Sequence, residues 1–544
     1  MSVKRSAVRR RRRKSGHLTI TEKKKQNTGR AIFIIAGILT LAALTVLGIF
    51  VFRTLIPKQE ASSREAAETV PVETVTEEPE TEDPEEIAKK EQEELEKKVL
   101  AIEPGFEFAH FSGEPTLVKT GDETLDKANT LAAGYDYDGA ISLLKSVTGY
   151  GNIPEYADAI ASFEAKKRAT AAWTVNNNVT HIFFHSLIVN PDLAFSDEVA
   201  GIKAEDYNEA MTTVTEFVNM MEEMYRKGYV LVDIYDLVKM EDEPDGTKKM
   251  TYQKIVLPDG KIPFILSIDD TNYYEYMTGH GFSTKLIVDE NGKVRNEYVL
   301  TDGTVIQGSF DVITILEDFI EYHPDFSYKG GRGMAGITGY NGVLGYRTSD
   351  FWYSADCPYY ESTDANDLYK ATEITGPNEN IEEDKKTATK VADAIKDMGW
   401  RFASHTWGHK RLGEVAMETL VWDADMWQKE VEPILGETDL LIFPYGNDFG
   451  QTVGWREYEY EGPNERYETM KSYGFDYFFN VDSSVYFMQR TDDYFRQGRR
   501  NLDGERMWEA IEADEGNEKK TNRLTDLFDD VSVTIDEKRP RLSK

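Results

Sequence analysis

Cysteine is almost absent: Cys357 stands alone in 544 residues. A single thiol excludes an intrachain disulfide framework and any zinc site built from several cysteines. Basic residues are in deficit, 63 Lys plus Arg against 97 Asp plus Glu, for a formal net charge of −34. That excess of acid argues against a nucleic-acid partner, which needs a basic face. Apolar residues are not short: 40% hydrophobic and 12% aromatic suffice for a sizeable core and exclude wholesale disorder. The length suggests two to four structural units at roughly 150 residues each.

One stretch has no charge at all. Residues 31–52 read AIFIIAGILTLAALTVLGIFVF, and as a helix they cover about 30 Å, the hydrocarbon thickness of a bilayer. Residues 1–30 hold twelve Lys or Arg against the single acid Glu22, a net +11, so the chain after them carries −45. Basic flanks stay inside. The expectation is a basic cytoplasmic tail at 1–30, a single-pass transmembrane helix at 31–53 in the cell membrane, and an extracellular remainder. The run is too long for a signal peptide and no A-x-A site follows, which favours an uncleaved anchor. The Arg9–Arg13 run then reads as an orientation signal touching anionic lipid. An exported domain without disulfides points to a bacterial envelope.

Residues 54–100 form an acidic linker, too polar to bury a core, with a Glu/Lys-rich end that can turn helical. Residues 101–174 change character. YDYDGAISLLK and PEYADAIASFEAKKR space Ala and Leu helically and resemble one tetratricopeptide-like helix pair. One pair cannot bury both faces, so it reads as a packing module, not a peptide-binding array.

From about 175 to 510, short apolar runs alternate with helical segments: THIFFHSL, GYVLVDI, PFILSI, WRFAS, LLIF and GFDYFFNV. Such alternation predicts an α/β domain with parallel strands. Polar, ligand-capable residues follow these runs: His185, Asp269–Asp270, His405 and His409, Pro444-Tyr445-Gly446, and Asp482. Barrel-type enzymes place their sites at such carboxyl ends. His405 and His409, at i and i+4, share a face if that segment turns helical. Two His and one carboxylate leave open positions on a divalent metal. The adjacent Asp269 and Asp270 point to different sides, so one can ligate while the other acts as base. Without such a metal they read as surface His and N-capping Asp.

Taken together, SIDD, SHTWGH and FPYG resemble the polysaccharide deacetylase (NodB-homology, carbohydrate esterase family 4) family over roughly 175–510. The resemblance implies a distorted (β/α) barrel, Asp269 as general base, and Asp270, His405 and His409 as ligands of zinc or a similar divalent ion. It also implies an oxyanion contact from the Tyr445 backbone N–H after Pro444. The sequence departs from the pattern in four places: S-I-D-D-T stands for T-F-D-D-G, no Arg precedes FPYG, no His follows His409, and about 135 residues separate the two main motifs. His185 is the candidate general acid in place of the late His, or else a hydrogen-bonded core residue. Asp482 either orients a site residue or caps a helix.

Pro444, Trp407 and Tyr273, with Trp400, Tyr274 and Tyr340, are candidates for contact with sugar. An insertion at about 289–390 carries glycines at 331, 333 and 336, but without a preceding strand and following helix they are no dinucleotide loop. They read as a backbone-dense loop near the site or as punctuation. Residues 511–544 read as a charged tail. The expected function is metal-dependent N-deacetylation of a cell-wall or extracellular glycan, peptidoglycan or a related N-acetylglucosamine polymer. The alternatives are a catalytically weak relative that binds wall glycan structurally, and a glycoside hydrolase on the same barrel. Nothing in the residue pattern indicates an oligomeric state.

Overall fold

Strands buried on both faces read as unbroken apolar runs, and this chain closes seven of them into a ring. The computed structural model describes residues 84–542 apart from 175–178, 358–373, 375, 450–459, 461–463 and 483–486. The strands are β1 (Thr180–Phe184), β2 (Tyr229–Leu231), β3 (Ile262–Ile268), β4 (Met334–Ile337), β5 (Arg401–Ser404), β6 (Leu440–Ile442), β7 (Tyr477–Val481) and β8 (Phe495–Asn501). The closed parallel ring runs β1–β3–β4–β5–β6–β7–β8 and back to β1. Strand β2 pairs with the first half of β3, and β4 takes over along the last two residues of β3.

Alternate residues of the ring face opposite ways. Ile265, Ala403, Ile442, Phe479 and Phe495 fall in one hydrophobic cluster, and Ile182, Phe184, Phe264, Leu266 and Ile268 in another with the outer helices. One of those helices, Val214–Arg226, shows why such segments begin where they do. Thr213 accepts from the Glu216 N–H at 3.2 Å while the Glu216 carboxylate accepts from the Thr213 N–H at 2.9 Å, a reciprocal cap.

The helices of the 101–174 module are α2 (Glu123–Ala133), α3 (Tyr137–Ser146) and α4 (Pro154–Arg168), preceded by α1 (Pro84–Ile102). Leu125, Ala128, Leu144 and Phe163 share the cluster of Ala403 and Leu440. The Lys329 N–H donates to Gly134 O at 2.7 Å and Tyr135 Oη to Asp325 O at 2.7 Å. Those partners lie just before β4, so the module sits at the barrel end away from the strands' carboxyl ends. Helix α1 ends on the domain: Val99 and Phe106 are buried in its core, and Glu103 accepts from Asn190 and the Tyr298 hydroxyl, both at 2.9 Å.

Two expectations change. The stretch 289–390 is not a single insertion. It contains part of a three-stranded antiparallel sheet (Lys285–Val288, Val294–Val299, Val305–Gly308), a core helix (Val312–Tyr322), and barrel strand β4 itself. Strand β4 escaped notice because it lies among glycines. Residues 511–541 are not a tail: Leu524, Leu527, Phe528 and Val531 are buried in the main core. Farther along, Arg539 forks onto Glu216 of α5 (Val214–Arg226), 2.6 Å to each oxygen. The apolar run 31–53 lies outside the described residues; among those described, no helix is long and apolar enough to cross a membrane.

Candidate active site

Three loops at the carboxyl ends of β3, β5 and β6 bring the motif residues together. Their backbones are strained. Asp270, Tyr273, Thr406, His409 and Tyr445 hold φ of 55°, 49°, 60°, 53° and 57°, a region that non-glycine residues rarely adopt. Strain of this kind persists only where surrounding structure over-determines it, and it concentrates at functional sites.

Asp270, His405 and His409 offer ligand atoms that all lie within 4.8 Å of one another. His409 Nε2 is 3.7 Å from Asp270, His405 Nε2 is 4.0 Å from it, and the two rings are 5.0 Å apart. The expected helical HxxxH is not what joins them. Residues 405–409 make a turn, and the left-handed Thr406 and His409 bring the imidazoles together. The turn is held from behind: Asp423, buried, accepts the N–H groups of Trp407 at 2.8 Å and Gly408 at 2.7 Å. Burial pushes the Asp423 carboxyl up to about 6, against the pull of those hydrogen bonds. Gly339 and Tyr340 both donate to Trp407 O at 2.9 Å. A Cβ on Gly339 would lie 2.2 Å from Trp407 Cδ1, so only glycine fits there.

Outer partners hold the candidate ligands. His405 Nδ1 donates to Ile442 O at 3.0 Å, which leaves Nε2 as its candidate ligand atom. Tyr274 donates its hydroxyl to Asp270 at 2.5 Å and lies 2.9 Å from Thr338 Oγ1. Burial raises Asp270, but the facing His409 and His405 more than offset it and its net shift is downward.

Asp269, whose Oδ2 is 3.9 Å from His405 Nε2, meets a partner the sequence reading missed. Arg499 of β8 grips both its oxygens, at 2.5 and 2.9 Å, and donates to Ser267 Oγ at 3.0 Å. The guanidinium is fully buried over the Phe183 ring, 4.3 Å from its centroid. Desolvation raises Asp269, yet the charges of Arg499 and His405 outweigh it and hold the carboxyl well below its ordinary range. No arginine precedes FPYG, and the barrel brings this one from its last strand instead. The segment FRQGRRN carries three arginines and looks solvated as sequence, so its strand was invisible.

His185 is half-buried, and its charge acts on both Asp269 and Asp270. Its Nδ1 donates to Ala210 O at 3.0 Å, so Nε2 is the proton-exchanging atom. His181, on the same strand, is deep in the barrel 3.1 Å from Gln497 Oε1. Burial and the Arg499 charge press it well below its ordinary value, leaving a neutral ring. Asp482 is buried at the end of β7, its N–H on Arg499 O at 2.8 Å.

The aromatic expectations fare differently. Trp407 and Tyr273 are each 2% exposed, the former donating to Glu430 at 2.9 Å and the latter accepting from Asn296 at 3.0 Å. Both support the loops from inside, with almost no surface left for a sugar. Trp400, Tyr274, Tyr340 and Pro444 are buried as well. Tyr445 is 58% exposed, its ring 4.5 Å from that of His409.

Fold and site define a parallel-barrel hydrolase with a candidate metal centre beside an ionised carboxylate. Residues 370–460 match the model of the polysaccharide deacetylase family. That match covers 91 of the 544 residues and takes in His405, His409 and Tyr445. Among solved structures, a Streptococcus pyogenes deacetylase, PplD, in complex with acetate is similar at 10% identity and TM-score 0.27, over 61% of this chain and 94% of that one. At that score the likeness carries no weight by itself. No curated protein matches.

Proposed function

We propose that this protein is a metal-dependent N-deacetylase of an N-acetylated cell-surface polysaccharide, peptidoglycan or a related N-acetylglucosamine polymer. The observation that carries the reading is the convergence of Asp270, His405 and His409 beside the Arg499-held Asp269. The donor set, two imidazoles and a carboxylate with outer partners in place, fits zinc or a similar divalent ion. Such an ion, when bound, supplies Lewis acidity toward the acetamide carbonyl and lowers the pKa of water.

The chain's own residues do the rest. Asp269 takes the proton of the attacking water; its oxygens offer about four acceptor sites, so the Arg499 fork leaves room for that proton. Arg499 keeps the carboxylate ionised and in register. The Tyr445 backbone N–H donates to the developing oxyanion. His185 Nε2 protonates the departing sugar amine, its ring fixed through Nδ1 by Ala210 O. Anchoring through residues 31–53, with the N-terminus cytoplasmic, places the domain on the outer face of the cell membrane next to its glycan.

The test is acetate release by the full-length protein in detergent from N-acetylglucosamine oligomers, with and without chelator and zinc add-back. Chelator-sensitive release that Asp269→Asn abolishes supports the reading. Absence of release under all conditions, or an Asp269→Asn variant as active as wild type, refutes it. Reducing ends appearing in place of acetate would indicate glycoside hydrolysis.

A further inference from the structure

We propose that Arg411 and Tyr445 form an anion-recognising rim at the mouth of the site. The polymer acted on would then carry a phosphodiester or carboxylate group on the sugar next to the acetylated one. The inference rests on the deacetylase reading above and narrows its substrate class.

The rim is built on a strained, exposed residue. Tyr445 stands out of the loop after β6 with φ of 57° and 58% exposure, where an apolar core gives no reason for an aromatic ring. One contact of that ring is the His409 ring at 4.5 Å, and another is the Arg411 guanidinium at 4.1 Å from the centroid. Stacking engages the face of a guanidinium and leaves its in-plane N–H donors for a planar or tetrahedral oxyanion.

Most arginines of the barrel have a carboxylate partner. Arg332, Arg401, Arg496, Arg500 and Arg539 each meet a carboxylate within 4.0 Å. Arg411 is exposed and meets none among the described residues. Nearby, the Arg466 guanidinium is occupied by the backbone carbonyls of Leu412 at 2.7 Å and Val415 at 2.5 Å. A chain of net charge −34 repels an anionic polymer as a whole. A guanidinium held rigid one ring from the metal residues offsets that repulsion where the polymer must enter. A neutral glycan gains less from such a cation than an oxyanion does, because only the oxyanion adds charge attraction to the hydrogen bond.

The experiment compares acetate release by the zinc-loaded full-length protein on matched oligosaccharides: a neutral N-acetylglucosamine oligomer, the same with one phosphodiester on the neighbouring sugar, and the same with one carboxylate there. Wild type is expected to favour an anionic oligomer by about tenfold in kcat/KM, the worth of one charge-assisted hydrogen bond. Arg411→Gln erases that preference and Arg411→Lys keeps part of it. Raising ionic strength to about 1 M, where screening acts within ~3 Å, shrinks it. The arm that shows the preference identifies phosphate or carboxylate as the anion. Equal kcat/KM on neutral and anionic oligomers, or an Arg411→Gln variant that loses both alike, overturns the proposal. If no oligomer releases acetate, the deacetylase reading fails, and binding of labelled oligomers by Asp269→Asn protein decides. A preference abolished by Arg411→Gln upholds the rim, and equal binding refutes it.

Discussion

Replacing Arg499 with methionine should damage both stability and catalysis, with a pH dependence that identifies the cause. The Arg499 side chain is 0% exposed and that of Asp269 5%, and two charge-assisted hydrogen bonds join them. Removing one partner of a buried pair leaves an uncompensated charge, at about 3–5 kcal/mol. Without the arginine, the burial that now opposes ionisation becomes the dominant influence on Asp269, and its pKa rises above the unfolded value of about 3.9. The signs then separate the two proteins. In wild type the depressed carboxyl contributes stability that is present above about pH 4 and lost only as pH falls toward the folded pKa. In Arg499→Met the penalty for burying the anion appears as pH rises through about 4 and is relieved below it, where the carboxyl binds a proton in both states. The difference in melting temperature should therefore be several degrees at pH 7 and should narrow at pH 4. The acid limb of the pH–rate profile should move upward by one unit or more, because the base must still be ionised to act. Thermal melts across pH and the acetate-release profile measure these two effects. Equal melting temperatures at pH 7, or a gap that widens in acid, would refute the assignment of Arg499 as the partner that keeps Asp269 charged.

Other outcomes follow from the same geometry. Asp423→Asn removes the charge that gathers the Trp407 and Gly408 N–H groups and should weaken zinc affinity by about 10- to 100-fold in calorimetric titration, with the fold intact. His185→Gln should lower kcat by about 10²- to 10⁴-fold with metal affinity unchanged, as expected of a lost general acid; a loss under twofold would return His185 to a structural role. Arg539→Met strands Glu216, both side chains 0% exposed, and should cost about 3–5 kcal/mol in denaturant unfolding. A negligible loss there would mean the C-terminal segment is not part of the fold.

Much of the site was legible because its residues come in short, contiguous motifs at the ends of apolar runs. Asp269–Asp270, His405, His409 and Pro444–Tyr445 could be placed at strand ends from hydropathy alone, and the structure brings Asp270, His405 and His409 within ligand distance. The strands missed were those whose composition hides their burial. In β8, Arg496, Arg499 and Arg500 are at most 2% exposed, each facing a carboxylate from elsewhere in the chain. A buried arginine and a solvated one look alike as letters; only the partner distinguishes them. Strand β4 was hidden by glycines required by close approach, as Gly336 shows, where a Cβ would lie 3.0 Å from Ile268 O. The aromatic residues were misjudged for a related reason. Trp407 and Tyr273 stand in the motif loops but turn inward to hydrogen-bond partners far along the chain, and Tyr445 is the one that faces out.

Sequence by itself determined what local chemistry can encode: the charge asymmetry about residues 31–53, the α/β alternation, and the candidates for a metal-ligand set and a base. These depend on residue type and short spacing, which no folding step alters. Tertiary structure alone decided that Arg499, 230 residues along the chain, is the partner that clamps Asp269. It also decided that a left-handed turn, not a helix, joins His405 to His409, and that Arg411 is left without a carboxylate among the described residues. The reason is physical. Burial, desolvation and partner distance set what a charged side chain does, and each is a property of contacts between residues far apart in the chain.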